Sequence, residues 1–249
     1  MLARIVTYLD GLLDHGRIGD YPGAQNGLQV ENSGAVKRVC AAVDACEATI
    51  SRAAEIPGTL LLAHHGLLWG GAQPFTGALR RKLQTAFAAD LAVYSSHLPL
   101  DLHAKFGNNA LLAKAVGLKK GAPAFSAKGQ NIGLVGELSG TREALQKKLA
   151  SITGARVHFA PGGPKNVRRV GICSGGAGTE VTQAAALGCD TFITGEGPHH
   201  TFTLAEELGV NLIYAGHYAT ETFGVRALAE HVGKKFRLPW EFLDHPTGL

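Results

Sequence analysis

The sequence predicts an α/β protein of two related three-layer units with mainly parallel sheets. Three observations carry that reading. Short apolar runs alternate with longer segments of helical periodicity along all 249 residues. The runs of the second half repeat those of the first: Arg169-Val170-Gly171-Ile172-Cys173 echoes Arg38-Val39-Cys40-Ala41-Ala42, residues 191–194 stand where 60–63 stood, and 211–214 correspond to 91–94. The conspicuous His, Asp and Glu residues fall just after these runs, and ligands of open parallel sheets gather outside the carboxyl ends of strands. A metal site is therefore expected at those ends, between the two units.

In chain order, Leu2, Ile5, Val6, Leu9, Leu12 and Leu13 give residues 1–16 a helical stripe. A Gly/Asn-rich loop follows through Asn26-Gly27-Leu28-Gln29. Residues 36–43 read as a strand, 46–54 as a helix, and 59–63 as a short buried strand ending at His64. Helix 79–89, strand 91–95 and helix 102–116 complete the first unit. Gly121, Pro123 and Gly129 mark residues 119–131 as a boundary. The expected domains are 1–125, carrying His64, His65 and Asp101, and 126–249, whose last part, from about 210, packs back to complete the site. The second unit reads as strand 132–138, helix 142–152, a turn at 160–166, strands 169–173, 191–194 and 211–214, and helix 223–232.

Composition narrows the class. Hydrophobic content of 45% and charged content of 18% suit a globular chain with a substantial core. The net charge of +4 includes no Lys/Arg run of the kind that grips nucleic acid. Cys40, Cys46, Cys173 and Cys189 form no CxxC pair, which points to a reducing compartment. No apolar h-region opens the chain, and no stretch reaches the roughly 18 apolar residues of a membrane span. A cytoplasmic protein is expected.

The chemistry lies in a repeated segment. Tyr94-Ser95-Ser96-His97-Leu98-Pro99-Leu100-Asp101 matches Tyr214-Ala215-Gly216-His217-Tyr218-Ala219-Thr220-Glu221, each with a His four residues before a carboxylate. His64 and His65 end another run. Neutral imidazoles and hard carboxylate oxygens together suit divalent metals. Taken singly, Asp101 reads better as a helix N-cap, and Glu221 as a carboxylate favoured by a helix dipole. Capping, however, requires no His four residues earlier, and not twice. His64 and His65 would diverge on an extended strand, whereas a strand-end turn would aim them at two neighbouring ions. Glu196, after the strand at 191–194, is a candidate proton shuttle. His199 and His200 have the same standing as extra donors. Ser174-Gly175-Gly176-Ala177-Gly178-Thr179 is a candidate anion cradle, though it lacks the Lys-Ser/Thr ending of a Walker A loop.

These residues resemble the Nif-three-like dinuclear metal-centre family, whose bacterial members are often labelled GTP cyclohydrolase I type 2 homologues. Five motifs in order carry the resemblance: Asn26-Gly27-Leu28-Gln29-Val30, His64-His65-Gly66, His97 to Asp101, Thr194-Gly195-Glu196-Gly197, and Gly216 to Glu221. It runs from about residue 1 to about residue 245, in the short form without the inserted domain of longer members. The resemblance implies metal ligands at His64, His65, Asp101, His217 and Glu221, with Glu221 bridging two ions, and a homohexameric ring. His97, the counterpart of His217, and Glu196 are then the residues expected to manage protons. The donor set fits zinc, iron, manganese or nickel. The implied activity is metal-dependent hydrolysis of a nucleotide-like or phosphate-bearing small molecule, with a bridging water as nucleophile. The alternative is a non-catalytic metal-binding regulatory or scaffold protein.

Overall fold

The computed structural model describes every residue except Ala72. Helix α1 (Leu2–Leu13) is followed by β1 (Gly27–Val30), β2 (Arg38–Asp44), α2 (Glu47–Ala53), β3 (Thr59–His65), α3 (Gly77–Ala88), β4 (Ala92–Ser95) and the single turn α4 (Leu98–Asp101). Then come α5 (Asn108–Val116), β5 (Lys119–Ala127), β6 (Gln130–Thr141), α6 (Arg142–Thr153), β7 (His158–Pro161) and β8 (Asn166–Cys173). A 3-10 turn (Gly178–Glu180) leads into α7 (Val181–Ala186), β9 (Thr191–Thr194), α8 (His200–Glu207), β10 (Asn211–Tyr214), α9 (His217–Phe236) and β11 (Trp240–Phe242). Two compact units result: Met1–Leu100 with Gly224–His245, and Asp101–Phe223 with Pro246–Leu249.

The first unit holds a five-stranded sheet ordered β1-β4-β3-β2-β11. All its pairings are parallel except that of β1 with β4. Residues 39–43 of β2, 60–63 of β3 and 92–94 of β4 are apolar because both faces of the sheet are covered there. Cys40, Ala42, Leu61, Ala63 and Val93 pack with Ile50, Ala53, Leu79 and Ala86 of α2 and α3. On the opposite face the Tyr94 hydroxyl donates to Asp10 of α1 at 2.8 Å. The unit is therefore three layers.

The second unit holds a six-stranded sheet ordered β5-β6-β8-β9-β10-β7. Val170, Ile172, Ile193 and Ile213 pack with Leu112, Leu145 and Leu149 of α5 and α6. Phe192, Cys173 and Leu212 pack with Val181, Ala184 and Ala205 of α7 and α8. The expected repeat is visible in the strand order. In each sheet three consecutive parallel strands, β2-β3-β4 or β8-β9-β10, end against an antiparallel neighbour, β1 or β7.

The α/β class holds, but the second sheet is mixed: β5–β6, β6–β8 and β10–β7 are antiparallel. Its hairpin explains this. Ala127 pairs with Gln130, so only Lys128 and Gly129 turn the chain, both at positive φ (51° and 78°). That two-residue geometry joins antiparallel strands. The stretch expected as a boundary is thus an edge strand, where Pro123 removes no donor that a central position would need. The helix expected over 102–116 is broken: α4 ends at Asp101, and α5 begins only after Gly107. Among the described residues no helix is long and apolar enough to cross a membrane.

Candidate metal centre

In the first unit the carboxyl ends of β3 and β4 deliver three imidazoles. His64 and His65 close β3, and His97 lies two residues beyond β4. Each offers one ring nitrogen to a group whose atoms lie within 4.8 Å of one another. Ring centroids are 4.8 Å apart for His64–His65 and His64–His97, and 5.6 Å for His65–His97. The neighbouring pair on β3 therefore converges with His97 rather than diverging. His64 is fully buried and His97 nearly so.

The other nitrogen of each ring is already committed. His64 Nδ1 lies 3.1 Å from the Ser96 carbonyl oxygen, His65 Nδ1 2.9 Å from Asp44 Oδ1, and His97 Nδ1 2.8 Å from Asp20 Oδ1. A carbonyl oxygen and ionised carboxylates only accept, so all three Nδ1 atoms carry the proton. With the proton on Nδ1, Nε2 is the nitrogen by which each ring would bind a metal, and an acceptor on Nδ1 is the usual partner of a metal-binding imidazole. Asp20 is itself tied down: its Oδ2 accepts from Leu98 N at 2.9 Å and from Asn26 Nδ2 at 2.8 Å. Burial pushes its carboxyl up. The hydrogen bond and electrostatic attraction of His97, helped by Asn26 and the Tyr21 N–H, outweigh burial and hold it below its ordinary range.

Two of the sequence motifs meet at this cluster. Asn26 Oδ1 accepts the His97 N–H at 2.8 Å. Gln29 Oε1 accepts the Leu67 N–H at 2.7 Å, and its amide lies where a Cβ on Gly66 would stand. Gly66 thus follows the two histidines because Gln29 fills its side-chain space.

In the second unit His217 and Glu221 occupy successive turns of α9, with Nε2 and Oε2 3.2 Å apart. Glu196, two residues past β9, places Oε1 2.7 Å from His217 Nδ1 and so orients this imidazole as Asp20 orients His97. Burial disfavours charging His217. Glu221 and Glu196 overcome it and raise the pKa to about 9, so a metal on Nε2 would have to displace a proton. Glu221 is 3% exposed. Asp101 caps no following helix: it ends α4 and accepts from Asn108 Nδ2 at 2.8 Å and from the Ser174 hydroxyl at 3.5 Å.

The Gly-rich turn serves these carboxylates rather than an anion. Gly175 has φ +69°, and a Cβ there would overlap Glu221 Oε1. The N–H groups of Ser174, Gly175, Ala177 and Gly178 donate to Asn109, Thr220, Thr194 and Glu196 respectively. An anion cradle needs those donors, and they are used. His199 and His200 stand exposed at the start of α8.

The family profile described as Duf34/NIF3 (NGG1p interacting factor 3) matches residues 1–247. The chain belongs to the Duf34/NIF3 family. A Deinococcus radiodurans relative named GTP cyclohydrolase 1 type 2 homolog is 44% identical over 94% of this chain and 90% of its own length. One of the same name from Pyrococcus abyssi is 38% identical over 98% of each. The crystal structure of TTHA1606 from Thermus thermophilus superposes with a TM-score of 0.91 at 40% identity, covering 100% of this chain and 99% of that one. Reduced HcgD from Methanocaldococcus jannaschii gives 0.84 at 25% identity, covering 98% and 97%.

In this Duf34/NIF3 chain, the residues that sequence reasoning missed are the orienting partners Asp20, Asp44 and the Ser96 carbonyl. Asn26 lay inside a noted motif, and its hydrogen bonds show why it belongs there. His/Glu groups able to hold a metal are present.

Proposed function

We propose that the chain is a metal-dependent hydrolase holding two divalent ions, with His64, His65, Asp101, His217 and Glu221 as ligands and Glu221 shared. The observation that supports it best is the tautomer of the three imidazoles, each with Nδ1 bonded to an acceptor so that Nε2 is the nitrogen that would bind a metal. Side-chain chemistry fits the ions: neutral nitrogens and hard oxygens, with no thiolate. When bound, such ions supply Lewis acidity and water of lowered pKa. Asp20, Asp44 and Glu196 hold the imidazoles in register. Glu196, about two-fifths exposed, is the group able to exchange a proton with solvent at His217 Nδ1. The names of the relatives favour a nucleotide-like substrate, and a homohexamer follows from the resemblance.

A second reading, a non-catalytic metal-binding protein, is favoured by His97. A further imidazole beside His64 and His65 would fill a coordination position that catalysis leaves to water.

Elemental analysis of protein prepared without a His-tag tests both. About two metal equivalents per chain are expected, falling sharply in His64→Ala and Glu221→Ala. Metal-free protein in every case, even after reloading, would defeat either reading. Nucleotide and phosphoester hydrolysis by the loaded protein, lost in Glu196→Gln with metal retained, separates the enzyme from the carrier.

A further inference from the structure

Two large aromatic side chains flank the imidazoles of the first unit, and the metal chemistry uses neither. Trp69 meets His97 edge to face, with centroids 4.5 Å apart and planes at 67°, and lies 4.8 Å from the His65 ring. Tyr21 lies 6.0 Å from His97 and 6.4 Å from Trp69. Both remain open to solvent, Tyr21 at 46% and Trp69 at 42%. Single exposed aromatics are common on protein surfaces and need no explanation. A pair fixed against a cluster of imidazoles does.

The pair is held in place. The Tyr21 N–H donates to Asp20 Oδ1 at 2.7 Å, and Asp20 also receives Leu98 N and Asn26 and faces His97. Gly23, in the same loop, approaches the Trp69 carbonyl so closely that a Cβ has no room. The loop carrying Tyr21 and the loop carrying Trp69 are therefore locked to each other and to His97. Preorganised aromatic faces bind without a large ordering cost.

We propose that Tyr21 and Trp69 form a stacking site for a planar heteroaromatic ring, seated beside His65 and His97. Phenol and indole rings take other planar π systems in offset-stacked or edge-to-face contact. Their own planes are inclined at 62°, so one ring of a ligand stacks on one of them and presents its edge to the other. A saturated ring has no π face and offers only weaker C–H contacts here. As an assignment of substrate class, the inference rests on the metal-dependent reading of the same site; as a binding site it stands without metal.

The chain has two tryptophans, Trp69 and Trp240. In a Trp240→Phe background, Trp69 emission reports its own surroundings. The zinc-loaded and metal-free forms of that protein are titrated with guanosine and nicotinamide as planar probes and ribose as the saturated control. Saturable quenching by at least one planar probe and none by ribose is expected, in both forms. Tyr21→Leu should weaken that binding about tenfold, and calorimetry should show a similar loss in Trp69→Leu. Quenching that rises linearly without saturation, or a titration unchanged by Tyr21→Leu, overturns the stacking site and assigns this face to protein contact. Saturable binding in protein that takes up no metal would leave the stacking site standing and defeat the hydrolase reading alone.

Discussion

The carboxylate of Asp20 lies 2.8 Å from Nδ1 of His97 across 77 residues of sequence, and both side chains are almost out of solvent. Asp20 thereby joins the loop after α1 to the end of β4, and it sets which nitrogen of His97 can donate. Glu196 does the same for His217 in the other unit, so the repeated His segments share their orienting chemistry as well as their spacing.

Asp44 orients the proposed ligand His65 in the same way, and its removal should weaken metal binding without unfolding the chain. Asp44→Ala is expected to lower zinc affinity about 10–100-fold, the usual cost of losing a ligating imidazole's orienting carboxylate. Asp44→Asn keeps an acceptor oxygen and should recover part of the loss. Competition against a chromogenic chelator measures both. Equal affinity in Asp44→Ala and the parent would show that His65 takes no part in binding.

Gly66 and Gln29 make a second testable pair. Gly66→Ala places a methyl group on the Gln29 amide, and overpacking of this kind costs about 1–3 kcal/mol. Gln29→Ala leaves the Leu67 N–H without its side-chain acceptor, at about 1–3 kcal/mol. Because the alanine at 29 vacates the space, the double variant should be less destabilised than the sum, with a coupling of about 1 kcal/mol. Urea midpoints of the four proteins give the cycle. Simple additivity would mean that Gly66 is needed for something other than room.

Legibility in the sequence followed burial. Strands β2, β3, β8 and β9 sit inside their sheets, so runs such as residues 39–43, 60–63 and 170–173 are apolar without interruption and stood out. The His and Glu residues of the site stood out because they follow such runs. Strand β5 did not, since it is an edge strand whose first five residues are exposed and show no alternation. Strands β7 and β11 are short edge strands, with at most one buried residue each. Asp20 and Asp44 were invisible for another reason. An orienting partner is defined by one hydrogen bond across a fold, and nothing in its own neighbourhood along the chain records that bond.

The β5–β6 turn offers a change in the stabilising direction. Lys128 occupies the left-handed region at φ 51°, which asparagine tolerates better than lysine. Lys128→Asn should raise stability by about 0.5 kcal/mol, and Gly129→Ala should cost about 1 kcal/mol. Both are read from urea midpoints at an unchanged denaturant slope. A loss of stability in Lys128→Asn would mean that the lysine side chain contributes more than its backbone strain.

His15 sets an acid limit on the first unit. Its Nε2 lies 3.1 Å from the Ser96 hydroxyl, and its ring stacks on Tyr94 at 5.6 Å. Burial lowers its pKa below the ordinary 6.5, and the attraction of Asp10 and Asp20 does not make up the difference. Above 6.5 the imidazole is neutral both folded and unfolded, so it imposes no cost. As pH falls through 6.5 the unfolded chain takes up a proton that the folded protein refuses, and stability drops until the lowered folded value is passed. His15→Asn cannot titrate. It should be less stable than the parent at about pH 8, where the packed ring is lost, and the gap should narrow toward about pH 5. Urea midpoints of both proteins across that range, in metal-free buffer, measure it. A gap that stayed constant would show that His15 takes up its proton equally in the folded and unfolded chain.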